Sequence, residues 1–426
     1  MKQKLKFAIL GFGSRGRMFA RLIEQDPEAE LVAIADVAES ARKAAQEQFG
    51  LAKSQCFTSG DAFLDQGKCC DAIFICVQDA EHYALTMRAL DLGYDICLEK
   101  PAAANAEQCK EIRDKALRLG RKVMLTHVLR YSPFYQCIRQ KIMDGSLGEV
   151  VHIDQTENIA YWHFALSYVR GPWRNMEDST PTIIAKCCHD LDLLLWLTGR
   201  HCVSVSSYGG LYYFNPEHAP AGSSTYCAEC QKETKEKCLF NAYKVYPEFM
   251  KTMVVGGTAA YEGEDINSLL DHHVEPISRC VFHSLNDAVD HQSVNLEFDN
   301  GSTAHLTMCA FTKRCYRYVK VFGTKGEIEG DLETNLLTFT QFGKEPQVID
   351  ATKDGGFNQD GIALNDGHGG GDYYLYRDFV DYLTSDKPSL TRTTIKESIE
   401  SHLVGFAAEE SRLQGGKPIV LDPLKE

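Results

Sequence analysis

Residues 1–127 alternate between short apolar runs and longer amphipathic segments, and few folds accept that rhythm. The expected strands are Lys6–Leu10, Leu31–Asp36, Ala72–Val77, Ile96–Leu98 and Lys122–His127. The expected helices are Ser14–Gln25, Ala38–Phe49, Glu81–Leu92 and Asn105–Leu119. The strand runs are apolar at consecutive positions, so both faces of each strand need cover. Strands of that kind alternating with helices predict an α/β half, a doubly wound parallel sheet of the Rossmann type. Asn105 stands where a cap would begin the fourth helix, and Gly120 where a left-handed residue would end it.

After residue 127 the rhythm changes. Helices are expected at Pro133–Met143, Ile183–Leu197, Asp372–Leu383 and Thr394–Leu413. Longer strands are expected at Val203–Tyr213, Gln292–Asp299, Ser302–Ala310 and Tyr318–Phe322. Asn300-Gly301 supplies the positive φ that a tight hairpin turn requires. Residues 128–426 therefore read as an α+β domain with an open, mostly antiparallel sheet, interrupted by a polar insertion at about 215–277.

Composition narrows the function. The net charge of −14 argues against holding nucleic acid or an anionic membrane through overall basicity. No apolar run approaches the roughly 18 residues needed to cross a bilayer, and the apolar stretch after Met1–Lys6 is too short for a signal-peptide core. Most of the sixteen cysteines sit singly in apolar runs, where a reduced thiol behaves as a small hydrophobe. The expectation is a cytoplasmic enzyme with a small-molecule substrate.

The chemistry begins at Gly11-Phe12-Gly13-Ser14-Arg15-Gly16, between the first strand and the first helix. Gly11 permits the turn, Gly13 leaves room for a pyrophosphate, and Gly16 lets helix and strand approach. The helix N-terminus offers unpaired N–H groups to phosphate. Asp36 ends the second strand, where a carboxylate binds ribose hydroxyls and repels a 2′-phosphate; Val37 follows, not an arginine. The pattern favours NAD over NADP. Glu99-Lys100-Pro101 leaves the strand Ile96–Leu98 at its carboxyl end, where such sheets bind ligands, and the Lys100 ammonium suits a substrate hydroxyl or carbonyl oxygen.

These motifs, followed by Arg130-Tyr131-Ser132-Pro133, Gly148-Glu149-Val150, Trp173-Arg174, His189-Asp190-Leu191-Asp192 and Leu197-Thr198-Gly199, resemble the Gfo/Idh/MocA oxidoreductase family over nearly the whole chain. The resemblance implies a Rossmann domain and an α+β domain that often forms a homodimer or homotetramer through its sheet. It implies hydride transfer between nicotinamide and a sugar, inositol or related polyol. It assigns Lys100 as the catalytic cation and His189 as the general acid/base. It extends the NAD-contacting set from Gly11–Gly16 and Asp36 to Val77, Gln78, His82, Glu99, Lys100, Arg130, Trp173 and Arg174. Lys186, His189 and Asp192 lie three apart and so line one face of the expected helix, with Lys186 keeping His189 neutral. Where many relatives carry an aspartate four residues before the histidine, this chain has Ala185. Glu157, Asn158 and His163 are then candidate replacement polar groups, and Glu157, His163, Lys186, Asp192 and His368 form the candidate substrate set.

Two motifs keep more than one reading. In His368-Gly369-Gly370-Gly371-Asp372, the aspartate either caps the following helix or joins His368 at substrate. Cys227, Cys230 and Cys238 in the insertion, with Cys280 beyond it, fit a structural zinc, free thiols or a redox pair. Two rival functions also stand. One is redox-neutral glycoside cleavage by transient oxidation and elimination; the other is an NAD-binding regulator without catalysis.

Overall fold

The computed structural model describes residues 4–177, 179–247, 270–271, 276–353, 368–385 and 387–422. The chain forms two compact units, Met1–Tyr131 with Asn365–Leu403, and Ser132–Leu364 with Val404–Glu426. The sequence reading placed the end of the first domain at 127; in the structure the segment from Asn365 to Leu403 belongs with that unit.

The first unit contains a six-stranded parallel sheet. Its strands are β1 (Leu5–Leu10), β2 (Ala29–Ala35), β3 (Cys56–Phe57), β4 (Ala72–Ile75), β5 (Asp95–Leu98) and β6 (Val123–Leu125), in the order β3-β2-β1-β4-β5-β6. Chain order reverses beside β1, which puts the Gly11 turn at the switch point. Consecutive apolar positions explain the burial: Phe7–Leu10 and Ala72–Ile75 are almost wholly covered. Phe7, Phe19, Phe74, Tyr376 and Phe379 pack ring on ring, so the helix Gly371–Thr384 completes this core although it lies far along the chain. The expected caps are present. The Asn105 side chain accepts from Gln108 N at 3.0 Å, and Gly120 ends its helix at φ 61°.

The second unit is built on a nine-stranded sheet. Its strands are β7 (Val150–Ala160), β8 (Cys202–Gly210), β9 (His291–Phe298), β10 (Thr303–Thr312), β11 (Tyr316–Gly323), β12 (Gly326–Asp331), β13 (Leu336–Gln341), β14 (Gln347–Asp350) and β15 (Ile419–Val420). The order is β14-β13-β12-β11-β7-β10-β9-β8-β15; only β7 and β10 pair in parallel. The Asn300-Gly301 turn joins β9 to β10 with Gly301 at φ 83°. Along β7, β9 and β10 buried residues alternate with less covered ones, so one face packs on helices and the other stays open.

Two expectations change here. Ile183–Leu197 is not one helix but two, Thr182–Ala185 and Cys188–Thr198. Cys187 leaves helical geometry (φ −98°, ψ 7°), and Asp190 N and Leu191 N both restart on the Cys187 carbonyl. The expected strand at 203–213 ends at Gly210. The insertion also has more apolar order than its sequence shows: Cys227, Ala242, Tyr246, Leu270 and Ile277 form a small buried cluster against Trp162 and Leu166. Insertion residues 248–269 and 272–275 lie outside the described residues.

Candidate active site

The glycine loop has the steric demands its sequence implies. Gly11 has φ 90°, and a Cβ there would stand 2.4 Å from the Cys76 carbonyl oxygen. A Cβ on Gly16 would stand 2.1 Å from the Gly11 oxygen. Gly13 differs, because a Cβ there meets no protein atom within 4 Å. Its missing side chain answers to space outside the fold, as a loop facing a pyrophosphate requires. The loop therefore fits a dinucleotide. Phe12 contributes backbone only, since its ring is buried edge-on against Phe49.

Asp36 is held in place by the loop. Its carboxylate accepts from Phe12 N at 2.6 Å and from Ala38 N at 2.8 Å. The sequence reading missed Arg42, whose guanidinium donates to the Asp36 and Val37 carbonyls at 2.7 and 2.9 Å. It comes from one turn into the helix Glu39–Phe49, beyond the residue that directly follows Asp36.

Arg15 organises the end of β5. Its Nε donates to Glu99 Oε1, and Nη1 lies 2.7 Å from Asp372 Oδ1. Thr126 Oγ1 donates to Glu99 Oε2 at 2.7 Å, and Lys100 N lies 3.2 Å from that same threonine oxygen. Burial alone would raise the Glu99 carboxyl, but Arg15 and Thr126 hold it below the ordinary value. Asp372 is likewise opposed by burial, yet Arg15 and His368 bring it down to about 2. This corrects the capping option. The helix is capped at Gly370 in the left-handed region, while Asp372 pairs with Arg15 and, at 2.8 Å, with His368 Nδ1. Lys100 thus follows an anchored carboxylate, and a cis peptide bond joins it to Pro101. The His82 ring lies between two carbonyls, Pro101 O at 2.6 Å and Val77 O at 3.1 Å. Gln78 precedes the helix Asp79–Asp91, and Arg130 is buried in the turn Val128–Tyr131.

In the second unit, Glu157 on β7 is almost fully buried between two cations. Lys186 Nζ is 3.3 Å from its Oε1, and Arg317 Nη2 is 2.6 Å from its Oε2. Arg317 also donates to Asp190 Oδ1 at 2.9 Å, and Gln155 donates to the same oxygen at 2.9 Å. Burial alone would lower the Arg317 guanidinium, but Asp190 and Glu157 keep it well above its ordinary value. Arg317 and Gln155 are not evident from sequence, and Asp190 is evident only as part of the histidine motif, because their meeting depends on β7–β11 register and on the turn at Cys187.

That turn also alters the expected histidine face. Lys186 ends the short helix, whereas His189 and Asp192 begin the next one and remain three apart. Lys186 acts on His163, whose Nδ1 lies 3.7 Å from Cys315 Sγ. Burial, helped by Lys186, pushes the His163 ring down to about 3. His189 and Asp192 are buried. Trp173 and Arg174 occupy a turn closed by Trp173 N on the Ser167 carbonyl and Arg174 N on that of Gly171.

Residues 5–127 match the oxidoreductase family's NAD-binding Rossmann fold, and residues 139–421 match its C-terminal alpha/beta domain. The protein YteT of Bacillus subtilis (strain 168) is 25% identical over 356 residues, 80% of this chain and 78% of YteT. The inositol 2-dehydrogenase of Rhizobium meliloti (strain 1021) is 26% identical over 203 residues, 48% of this chain and 58% of that enzyme. The D-glucoside 3-dehydrogenase of Escherichia coli (strain K12) is 31% identical over 147 residues, 34% of this chain and 41% of that enzyme. Among solved structures, the WlbA dehydrogenase of Bordetella pertussis, in complex with NADH and UDP-GlcNAcA, superposes with a TM-score of 0.70 at 18% identity, covering 100% of this chain and 99% of that one. An inositol dehydrogenase homolog of Azotobacter vinelandii, complexed with NADH and myo-inositol, gives 0.67 at 16% identity, covering 99% and 98%. With both of its domains matched, this chain belongs to the Gfo/Idh/MocA oxidoreductase family.

Proposed function

We propose that this protein moves a hydride between NAD and a secondary alcohol carbon of a sugar, inositol or related polyol. The observation that carries the reading is the anchoring of Glu99 by Arg15 and Thr126, which fixes the backbone from which Lys100 leaves β5. When bound, the nicotinamide supplies the hydride acceptor or donor. Lys100 places a cation at the substrate oxygen as alkoxide character develops. His189 takes the hydroxyl proton in oxidation and returns it in reduction. The dehydrogenase relatives support the substrate class. No step uses a metal on the cysteines of the insertion.

The NAD-contacting set in this reading is the Gly11–Gly16 loop with Asp36, Val77, Gln78, His82, Glu99, Lys100, Arg130, Trp173 and Arg174. The substrate set is Glu157, His163, Lys186, Asp192 and His368. Glu157 and His163 are the next candidates for the base, although the burial that keeps the His163 ring neutral also makes it a poor proton acceptor. A homodimer or homotetramer through the open sheet face belongs to the same proposal, supported by the half-covered residues along β7 and β10. A cytoplasmic setting is supported by the sixteen cysteines, none of which is joined in a disulfide. Among the described residues, no helix is long and apolar enough to cross a membrane.

The deciding experiment incubates the protein with NAD and a panel of inositols, free sugars and glycosides, following NADH by absorbance. NADH formation with a polyol or sugar is the expected result. Release of an aglycone without net NADH would replace dehydrogenation by redox-neutral cleavage, and NAD binding with neither product would leave a regulator.

A further inference from the structure

Three cysteines of the insertion and Cys280 beyond it are scattered in sequence but not in space. Cys227, Cys230, Cys238 and Cys280 all line one small cavity with Arg170, Phe240 and Phe282. A β-bridge between Tyr226 and Arg279 brings the distant fourth cysteine in. Across it, Cys227 N donates to the Ser278 carbonyl and Cys280 N to that of Thr225, each at 2.8 Å. The fold therefore commits backbone hydrogen bonds to joining the two cysteine-bearing segments.

One backbone N–H points at a sulfur of this set. Ser224 N lies 3.4 Å from Cys230 Sγ. An N–H dipole aimed at sulfur favours the thiolate, the form that binds metal. It does little for a neutral thiol, which is a weak acceptor.

The same cavity is lined by a buried charge whose partners among the described residues are neutral. Arg170 is 1% exposed and donates to the carbonyls of Arg279 and Phe240 at 2.6 Å and to Tyr246 Oη at 2.8 Å. Among the described residues, none of these partners is a carboxylate. A buried guanidinium satisfied only by neutral oxygens still bears the cost of desolvating its charge. Four neutral thiols give it nothing. Four thiolates around one divalent cation carry a net negative charge and would offset it.

We propose that Cys227, Cys230, Cys238 and Cys280 bind one structural zinc ion, with Arg170 as the buried counter-charge of the thiolate site. All-sulfur ligation selects a soft or borderline ion, and zinc accepts four thiolates tetrahedrally without redox chemistry. On binding, each thiol releases its proton to solvent and its sulfur donates an electron pair to the metal. Among the described residues, no three of these sulfurs all lie within 4.8 Å of one another, so loading draws the cavity wall inward. The ion would tie the insertion together, a purpose separate from hydride transfer.

The test uses the full chain, purified without added metal and without a metal-affinity tag. Elemental analysis should find about one zinc per chain. Native alkylation with peptide mapping should leave these four cysteines protected, and they should become reactive once a chelator with mild denaturant strips the metal. Cys230→Ser and Cys238→Ser, the two less buried positions, should each lower the zinc content at least fivefold. Cobalt substitution should produce thiolate charge-transfer bands that both variants lose. Metal-free protein whose four thiols alkylate freely in the native state overturns the proposal. So does one zinc per chain that both serine variants retain, or iron in place of zinc. If a serine variant does not fold, the wild-type metal content and protection pattern still decide. NAD titration of the wild type runs separately, so the two proposals can fail independently.

Discussion

Arg15, inside the glycine loop, donates to Glu99, the residue that precedes Lys100. The loop that fits a pyrophosphate and the strand end that presents the candidate catalytic lysine are therefore mechanically tied. Asp372 closes the tie from a helix more than three hundred residues later, at 2.7 Å from the same guanidinium.

The Arg15–Asp372 pair should appear in the acid stability of the fold. Asp372 titrates near 3.8 when unfolded and near 2 when folded. The folded state binds fewer protons between those values, so the contribution is complete above about pH 4 and disappears as pH falls toward 2. We expect Asp372→Asn to lose about 2 kcal/mol at neutral pH, the size of such a shift when the carboxylate is buried. Urea melts of both proteins from pH 7 to pH 2 check this: the gap should close through the acid window. A gap independent of pH would mean that Asp372 acts by packing.

Gly13 separates ligand geometry from fold geometry. With no protein atom within 4 Å of its missing Cβ, Gly13→Ala should leave the melting temperature almost unchanged. It should weaken NAD binding by about tenfold or more, roughly 1.4 kcal/mol, since the methyl takes the room left for the phosphates. Calorimetric titration and thermal melts of one preparation decide it, and unchanged affinity would remove the loop from the binding site.

Asp36, fastened by Phe12 N and Ala38 N, should repel a 2′-phosphate. We expect NAD to bind more tightly than NADP, and Asp36→Ala to narrow the gap. Arg42 beside it should then favour the phosphate, so Arg42→Ala in the Asp36→Ala background should widen the gap again. Equal or tighter NADP binding by the wild type would reverse the assigned preference.

Lys100→Ala and His189→Ala should each keep NAD affinity within a few fold while lowering turnover by ~10²-fold or more, the usual scale for acid–base groups. His163 provides the control. Its ring is held neutral down to about pH 3, so it should contribute no acid limb near neutrality. The acid limb of kcat/KM should survive in His163→Gln and vanish in the residual activity of His189→Ala. The opposite pattern would transfer the proton to His163.

The Rossmann half was legible because its determinants are local. Apolar periodicity sets the strands, Asn105 and Gly120 bound a helix through their own backbone preferences, and Gly11 meets a positive φ that few other residues tolerate. The candidate site was legible as far as motifs reach: the glycine loop, Asp36 and Lys100 all lie at strand ends that periodicity predicts. What sequence could not decide was pairing over distance. Lys186 reads as a neighbour of His189 on one helix, yet the backbone turns at Cys187 and the ammonium reaches Glu157. Arg15 reads as a spacer between glycines, yet it joins Glu99 to Asp372. Cys280 is remote from Cys227 until one β-bridge sets them in the same cavity wall. A side chain's conformational preference is carried by its own residue, whereas a buried charge finds its partner only when packing has excluded water, and that partner is chosen by the register and turns of the finished fold.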